Sequence, residues 1–133
     1  MTKLKYTAMA VILNSNKEIL SVSRKDNHND MNLPGGKIDE DDATIKDGLA
    51  REVMEETGLI INTDTMELVF VMFRDKFMGY TYLIKDWEGE INTNEPHVVK
   101  WCPYETITKG SFGEFNKLLY KSLNNMGVDI KYS

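Results

Sequence analysis

The sequence predicts an α/β fold in which a mixed sheet lies between helical layers. Three observations carry that expectation. β-rich runs stand on both sides of an acidic, amphipathic segment that runs from Asp42 to Thr57. A second amphipathic segment follows Ser111, which opens Ser111-Phe112-Gly113-Glu114 with the spacing of a helix-capping box. No repeat, low-complexity tract or linker divides the chain, so its 133 residues read as one domain with room for a real core.

Taken in order, Tyr6 to Leu13 and Glu18 to Ser23 read as strands joined through Asn14-Ser15-Asn16-Lys17, a hairpin-like connection. Arg24 to Asn32 is a polar loop, and Pro34-Gly35-Gly36 a tight turn. Met66 to Phe73 and Lys76 to Lys85 are β-rich and meet at Arg74-Asp75, as an antiparallel pair would. Trp87 to Pro96 is a loop, and His97 to Cys102 a short strand. Phe115, Leu118, Leu119 and Leu123 give the closing helix its apolar stripe.

Composition narrows the functional classes. Hydrophobic content of 41% and charged content of 28% are ordinary for a soluble globular protein. The single Cys102 excludes an internal disulfide and fits a reducing compartment, so a cytoplasmic location is expected. Lys3 and Lys5 precede the apolar run Ala8 to Leu13, but no cleavage-type site follows, which reads as a strand and not a signal peptide. No apolar stretch approaches membrane-spanning length. A net charge of −5 argues against duplex nucleic acid as a partner. The partner expected is a small molecule, bound by a monomer or homodimer.

The acidic helix carries the chemistry. At about 100° per residue, Glu55 and Glu56 lie one turn beyond Glu52 on the same side, so three carboxylates share a stripe. Ala43, Ala50, Val53, Met54 and Thr57 gather opposite, as a core-facing side would. Like charges at this spacing cost a bare helix about 0.2–0.5 kcal/mol per pair. A hard divalent cation with oxygen ligands would offset that cost. Arg51 can steady one carboxylate from the flank, and Gly58 ends the helix. An EF-hand loop starting at Asp39 is excluded, because Thr44 stands where Gly is needed and Ala50 where Glu is needed.

Residues 33–59 resemble the signature of the Nudix (MutT-like) hydrolases, G-x5-E-x7-R-E-U-x-E-E-x-G-U, where U is a bulky aliphatic residue. Gly36, Arg51, Glu52, Val53, Glu55, Glu56, Gly58 and Leu59 match it, and Leu33-Pro34-Gly35 supplies the usual lead-in. The interval from Gly36 to Arg51 is one residue too long, so Ala43 occupies the place of the early Glu and its role falls to Asp42 or Asp41.

The resemblance implies an α/β/α sandwich over essentially the whole chain and hydrolysis of a nucleoside diphosphate linked to another group. The favoured substrate is a nucleoside triphosphate, modified or oxidised, cleaved to the monophosphate and pyrophosphate. ADP-ribose or a nucleotide sugar is the alternative, and a non-catalytic ligand sensor is disfavoured because the box carboxylates are intact. The implied cofactor is Mg²⁺, with Mn²⁺ as a substitute. Glu52, Glu55, Glu56 and a backbone carbonyl at Gly35 or Gly36 are the implied metal ligands. Arg51 belongs to the catalytic cluster, and Glu52 or Glu95 is the base, with Glu90 the fallback for Glu95. Arg24 and Lys37 are candidate phosphate contacts, and Asn116 a base contact that can both donate and accept. Phe73, Tyr80 and Tyr82 are weighed as base-stacking groups against an ordinary place in the core. His28 reads as a solvated loop residue.

Overall fold

The computed structural model describes residues 4–133, and Lys3 lies outside them. Strand β1 (Lys5–Ile12) pairs parallel with β7 (Phe77–Ile84) and antiparallel with β4 (Gly35–Lys37). With β6 (Glu67–Arg74) beyond β7, the order is β4-β1-β7-β6, a mixed four-stranded sheet. Because side chains alternate along a strand, β1 serves two cores. Ala8, Ala10 and Ile12 join the cluster that holds Leu49 and Val53, whereas Val11 joins the one that holds Leu119 and Leu123. Those leucines and Val53 come from α1 (Ile45–Thr57) and α2 (Gly113–Asn125), which therefore cover opposite faces. The α/β sandwich expected from sequence is the fold observed.

The first two strands do not form a hairpin ladder. Their turn closes as expected, with Lys17 donating to the Asn14 carbonyl at 3.0 Å and Asn14 to the Glu18 carbonyl at 3.1 Å, but the pairing stops at one bridge, Leu13 to Ile19. β2 (Ile19–Ser23) is buried along its full length and pairs instead with β3 (Met31–Asn32) and β9 (Val99–Cys102) in a second, antiparallel sheet. A strand buried on both faces needs neighbours on both edges for its backbone groups, and the distant β9 supplies what β1 cannot. The β6–β7 hairpin forms as expected, with Asp75 in the left-handed region at φ 57°. The loop expected from Trp87 opens with β8 (Trp87–Glu88), which pairs with β5 (Ile60–Ile61).

Helix α1 begins three residues later than Asp42. Thr44 caps it, its hydroxyl accepting from the Asp47 N–H at 3.0 Å. Gly58 ends it at φ 85°, donating to the Met54 carbonyl at 2.9 Å. The inward face is Gly48, Leu49, Val53 and Thr57. Ala43 precedes the helix and is exposed, and Met54, about 100° round from Val53, is 52% exposed. Neither belongs to the core side.

Helix α2 lacks the capping box. Phe112 is its N-cap, without a side-chain bond, and this register puts Glu114 one residue too early to reach back. The Ser111 N–H instead donates to Asp30 Oδ1 at 2.7 Å, and Glu114 pairs with Lys117 at 3.3 Å. Leu119 and Leu123 are buried, whereas Leu118 is exposed. Among the described residues no helix is long and apolar enough to cross a membrane.

Candidate active site

Arg51 organises the acidic face of α1. Its Nε and Nη2 donate to the two oxygens of Asp42, both at 3.0 Å, the bidentate arrangement a guanidinium favours. Nη2 also reaches Asp39 at 3.3 Å, while Nη1 lies 3.4 Å from oxygens of Glu52 and Glu55. The hydrogen bonds it donates to Asp42 raise the Arg51 pKa above its ordinary value, and the same bonds depress Asp42. Asp42 Oδ2 further accepts from the Asp39 N–H at 2.9 Å, which closes the lengthened loop before the helix. Of Asp41 and Asp42, it is Asp42 that meets Arg51.

Glu56 is the most perturbed carboxyl of the stripe. Burial pushes its pKa up to about 7, and the charges of Glu52, Glu95 and Glu55 add to the rise. A hydrogen bond from the Gly35 N–H to Glu56 Oε1 at 2.8 Å opposes them. Burial also raises Glu52, against the pull of Arg51. These carboxylates repel one another in a partly dry setting, where the cost of charge is greatest.

The sequence reads Pro34-Gly35-Gly36 as a tight turn that offers a backbone carbonyl to a metal; Gly35 and Gly36 instead enter β4. Gly35 has φ 145°, and a side chain there would collide with the Ala8 carbonyl at 2.1 Å. A Cβ on Gly36 would stand 3.1 Å from the Glu52 carboxyl carbon. Both glycines let the strand pass between β1 and the carboxylates. Gly35 meets the cluster through its N–H, the opposite polarity to the expected carbonyl ligand.

Among the described residues, no three acidic, His or Cys side chains converge tightly enough to hold an ion as they stand. Arg51 Nη1 bonds to both Glu52 and Glu55. The donor chemistry nonetheless suits a hard cation, since every side chain of the stripe offers carboxylate oxygen.

Glu95 lies on the loop that crosses the end of α1. Its charge is felt at Glu56, its side chain pairs with Lys25 at 3.3 Å, and its N–H donates to Thr93 Oγ1. His28 is exposed yet not merely solvated, donating from Nε2 to the Pro96 carbonyl at 3.0 Å. Arg24 is exposed and bound to Asp26 at 3.1 Å, outside the pocket described next.

A largely apolar pocket of about 280 Å³ opens beside the cluster, and Gly36 is part of its wall. Phe77, Phe112 and Phe115 line it, and Asn116 and Asn32 bring amides into it. Asn116 is 1% exposed; its Nδ2 donates to the Ile107 carbonyl and its own carbonyl accepts from the Tyr104 hydroxyl, both at 2.8 Å. Asn32 Oδ1 is buried without a hydrogen-bond partner. Lys37 ends β4, its Nζ 5.6 Å from the Phe77 ring centre.

Sequence reasoning did not single out Asn32, Phe77, Phe112 or Phe115. The spacing Phe112-x-x-Phe115-Asn116 was the available signal, because it puts two rings and an amide on one side of a helix. The aromatics weighed instead lie elsewhere: Tyr82 and Tyr80 pack in or against the α1 core, and Phe73 is 59% exposed.

The fold and this constellation agree with the comparisons. Residues 3–123 match the model of the NUDIX domain. The chain belongs to the NUDIX family and is a hydrolase. Over 127 residues it is 28% identical to an 8-oxo-dGTP diphosphatase of Buchnera aphidicola, covering 92% of this chain and 97% of the relative. A solved MutT of Aliivibrio salmonicida or Vibrio cholerae superposes with TM-score 0.76 at 20% identity, covering 92% and 99% of the two chains. An ADP-ribose pyrophosphatase of Streptococcus suis does so with TM-score 0.70 at 22% identity, covering 92% and 91%. Such similarity establishes the fold and leaves the substrate to the site.

Proposed function

We propose that this hydrolase cleaves a nucleoside triphosphate, modified or oxidised on its base, to the monophosphate and pyrophosphate. One observation carries the reading: Gly36 lines the aromatic pocket and also borders the carboxylate stripe, where a Cβ on it would stand 3.1 Å from the Glu52 carboxyl carbon. A nucleotide with its base between Phe77, Phe112 and Phe115 would bring its phosphates to Glu52 and Glu56. Asn116 retains donor and acceptor capacity beyond its bond to Ile107. The unpaired Asn32 Oδ1 calls for an N–H, since a buried acceptor left empty is costly. The name of the Buchnera relative makes an oxidised guanine nucleotide the first candidate.

Mg²⁺ or Mn²⁺ would be held by Glu52, Glu55 and Glu56 and, when bound, supplies charge neutralisation at the phosphates and a more acidic water. Glu52 remains tied to Arg51, whereas Glu95 is opposed only by the exposed Lys25. With Glu52 assigned to the cation, Glu95 is the proton acceptor proposed for the attacking water. Lys37, whose Nζ lies near the Phe77 ring, would contact the nucleotide from that side, and the Arg24 side chain is committed to Asp26.

The test is product analysis over a panel of standard and oxidised nucleoside triphosphates and ADP-ribose, with and without Mg²⁺. Mg²⁺-dependent release of monophosphate and pyrophosphate from a triphosphate is expected. Orthophosphate with diphosphate, or turnover of ADP-ribose alone, would refute the proposal.

A further inference from the structure

The last turn of α1 leaves three carbonyls, on Glu55, Glu56 and Thr57, beyond the helix's own hydrogen bonding. Each finds a donor on the same short loop. Thr93 Oγ1 donates to Glu55 O at 3.0 Å, His97 Nε2 to Glu56 O at 2.7 Å, and the Asn92 N–H to Thr57 O at 2.8 Å. A carbonyl only accepts, so Nε2 of His97 carries the hydrogen. Close passage of the loop requires Gly58, where a Cβ would meet the Asn92 carbonyl at 2.2 Å.

Glu95 lies between Thr93 and His97. Thr93 Oγ1 also accepts the Glu95 N–H at 3.1 Å, so one hydroxyl ties the Glu95 backbone to the helix end. A second anchor lies behind: Ser23 Oγ accepts from the Val98 N–H at 2.8 Å, and His28 bonds the Pro96 carbonyl. His97 itself is buried, 9% exposed. Two of the three clasped carbonyls belong to Glu55 and Glu56, whose side chains form the acidic stripe.

We propose that Thr93 and His97 are positioning residues, a clasp from the Glu95 loop onto the carbonyls of Glu55 and Glu56 that fixes Glu95 against the carboxylate stripe. The inference rests on the proposed role of Glu95. The clasp gives a flexible surface glutamate a set place relative to the helix. Without it the Glu95 backbone loses its tie to α1, and a displacement near 1 Å costs a reacting group much of its efficiency.

The experiment compares wild type with His97→Phe, His97→Gln, Thr93→Val, Glu95→Gln and the double variant Glu95→Gln/His97→Phe. Steady-state kinetics are measured on the best nucleotide of the panel, and Mn²⁺ binding to each purified protein by electron paramagnetic resonance. His97→Phe and Thr93→Val should lower kcat roughly ten- to a hundredfold with KM unchanged. Glutamine can still donate to Glu56 O, so His97→Gln should recover most of the loss. Adding His97→Phe to Glu95→Gln should cost nothing further, and His97→Phe and Thr93→Val should each shift Mn²⁺ affinity by the same factor as Glu95→Gln, with His97→Gln close to wild type. A multiplicative loss in the double variant, or wild-type kcat in both clasp variants, overturns the proposal. Should His97→Phe not fold, Thr93→Val decides alone. If the wild type hydrolyses no nucleotide, the proposed function fails, while the Mn²⁺ comparison still decides whether the clasp acts through Glu95.

Discussion

Helices α1 and α2 are each thirteen residues long and cover opposite faces of one sheet, yet they are held by different means. α1 has a side-chain cap at Thr44, a left-handed glycine at its end and external donors on its last carbonyls. It buries four residues, Gly48, Leu49, Val53 and Thr57, as many as α2 does, but its other side is crowded with carboxylates. α2 has no side-chain cap and is held by packing, through Leu119, Leu123 and a buried Asn116. The difference teaches where function lies. A helix whose termini are secured can carry internal repulsion, whereas one that depends on its apolar face admits a polar group only where it is bonded.

Glu56→Gln should break the first helix's function most severely. Removing one carboxylate from the stripe should lower kcat/KM by at least roughly a hundredfold. The metal-free protein should keep its fold and become slightly more stable, because a repulsion is lost. Full activity in the purified variant would remove the stripe from the chemistry.

Asn116→Ala should give the mirror image. It leaves the buried Ile107 carbonyl without its donor, which costs about 1–3 kcal/mol of stability. Turnover should persist, but with preference between bases flattened by about 1–3 kcal/mol in kcat/KM across purine and pyrimidine triphosphates. Arg24→Ala should do least: exposed and paired with Asp26, it should leave the preference profile and the rate near wild type. An unchanged profile for Asn116→Ala would reduce that residue to a structural link between α2 and Ile107.

What could be read from the sequence follows the same division. α1 was legible because its signals are local: the spacing of Glu52, Glu55 and Glu56, the flanking Arg51 and the terminal Gly58. The β6–β7 hairpin was legible for the same reason, since its strands meet at a two-residue turn, Asp75-Lys76, beside Arg74. Partners far apart in sequence were not. β1 pairs with β7 across some seventy intervening positions, from Lys5 to Phe77, and no periodicity reports such a pairing. Gly35-Gly36 carries the local signal of a turn but serves as strand because β1 and Glu56 offer it partners. The pocket was hidden for a related reason. Asn32 and Phe115 are ordinary residues until β3 and α2 bring them to one cavity.

The central claim is that the α1 stripe is frustrated without a cation and relieved by one. Thermal unfolding of wild type and Glu56→Gln, in chelator and in Mg²⁺, at about pH 5 and about pH 8, tests it most directly. The Glu56 pKa is raised in the fold, from an ordinary 4.5 to about 7, so its contribution to stability is present at low pH and lost as pH rises through that window. In chelator the wild type should lose up to about 3 kcal/mol between the two pH values from this group, and Glu56→Gln should lose much less. Asp26, Asp30 and Asp42 are depressed below their ordinary value, so they do not titrate in that window. At the higher pH, Mg²⁺ should raise the wild-type midpoint and leave Glu56→Gln nearly unmoved. Equal pH dependence in the two proteins, with an equal rise in Mg²⁺, would contradict the claim.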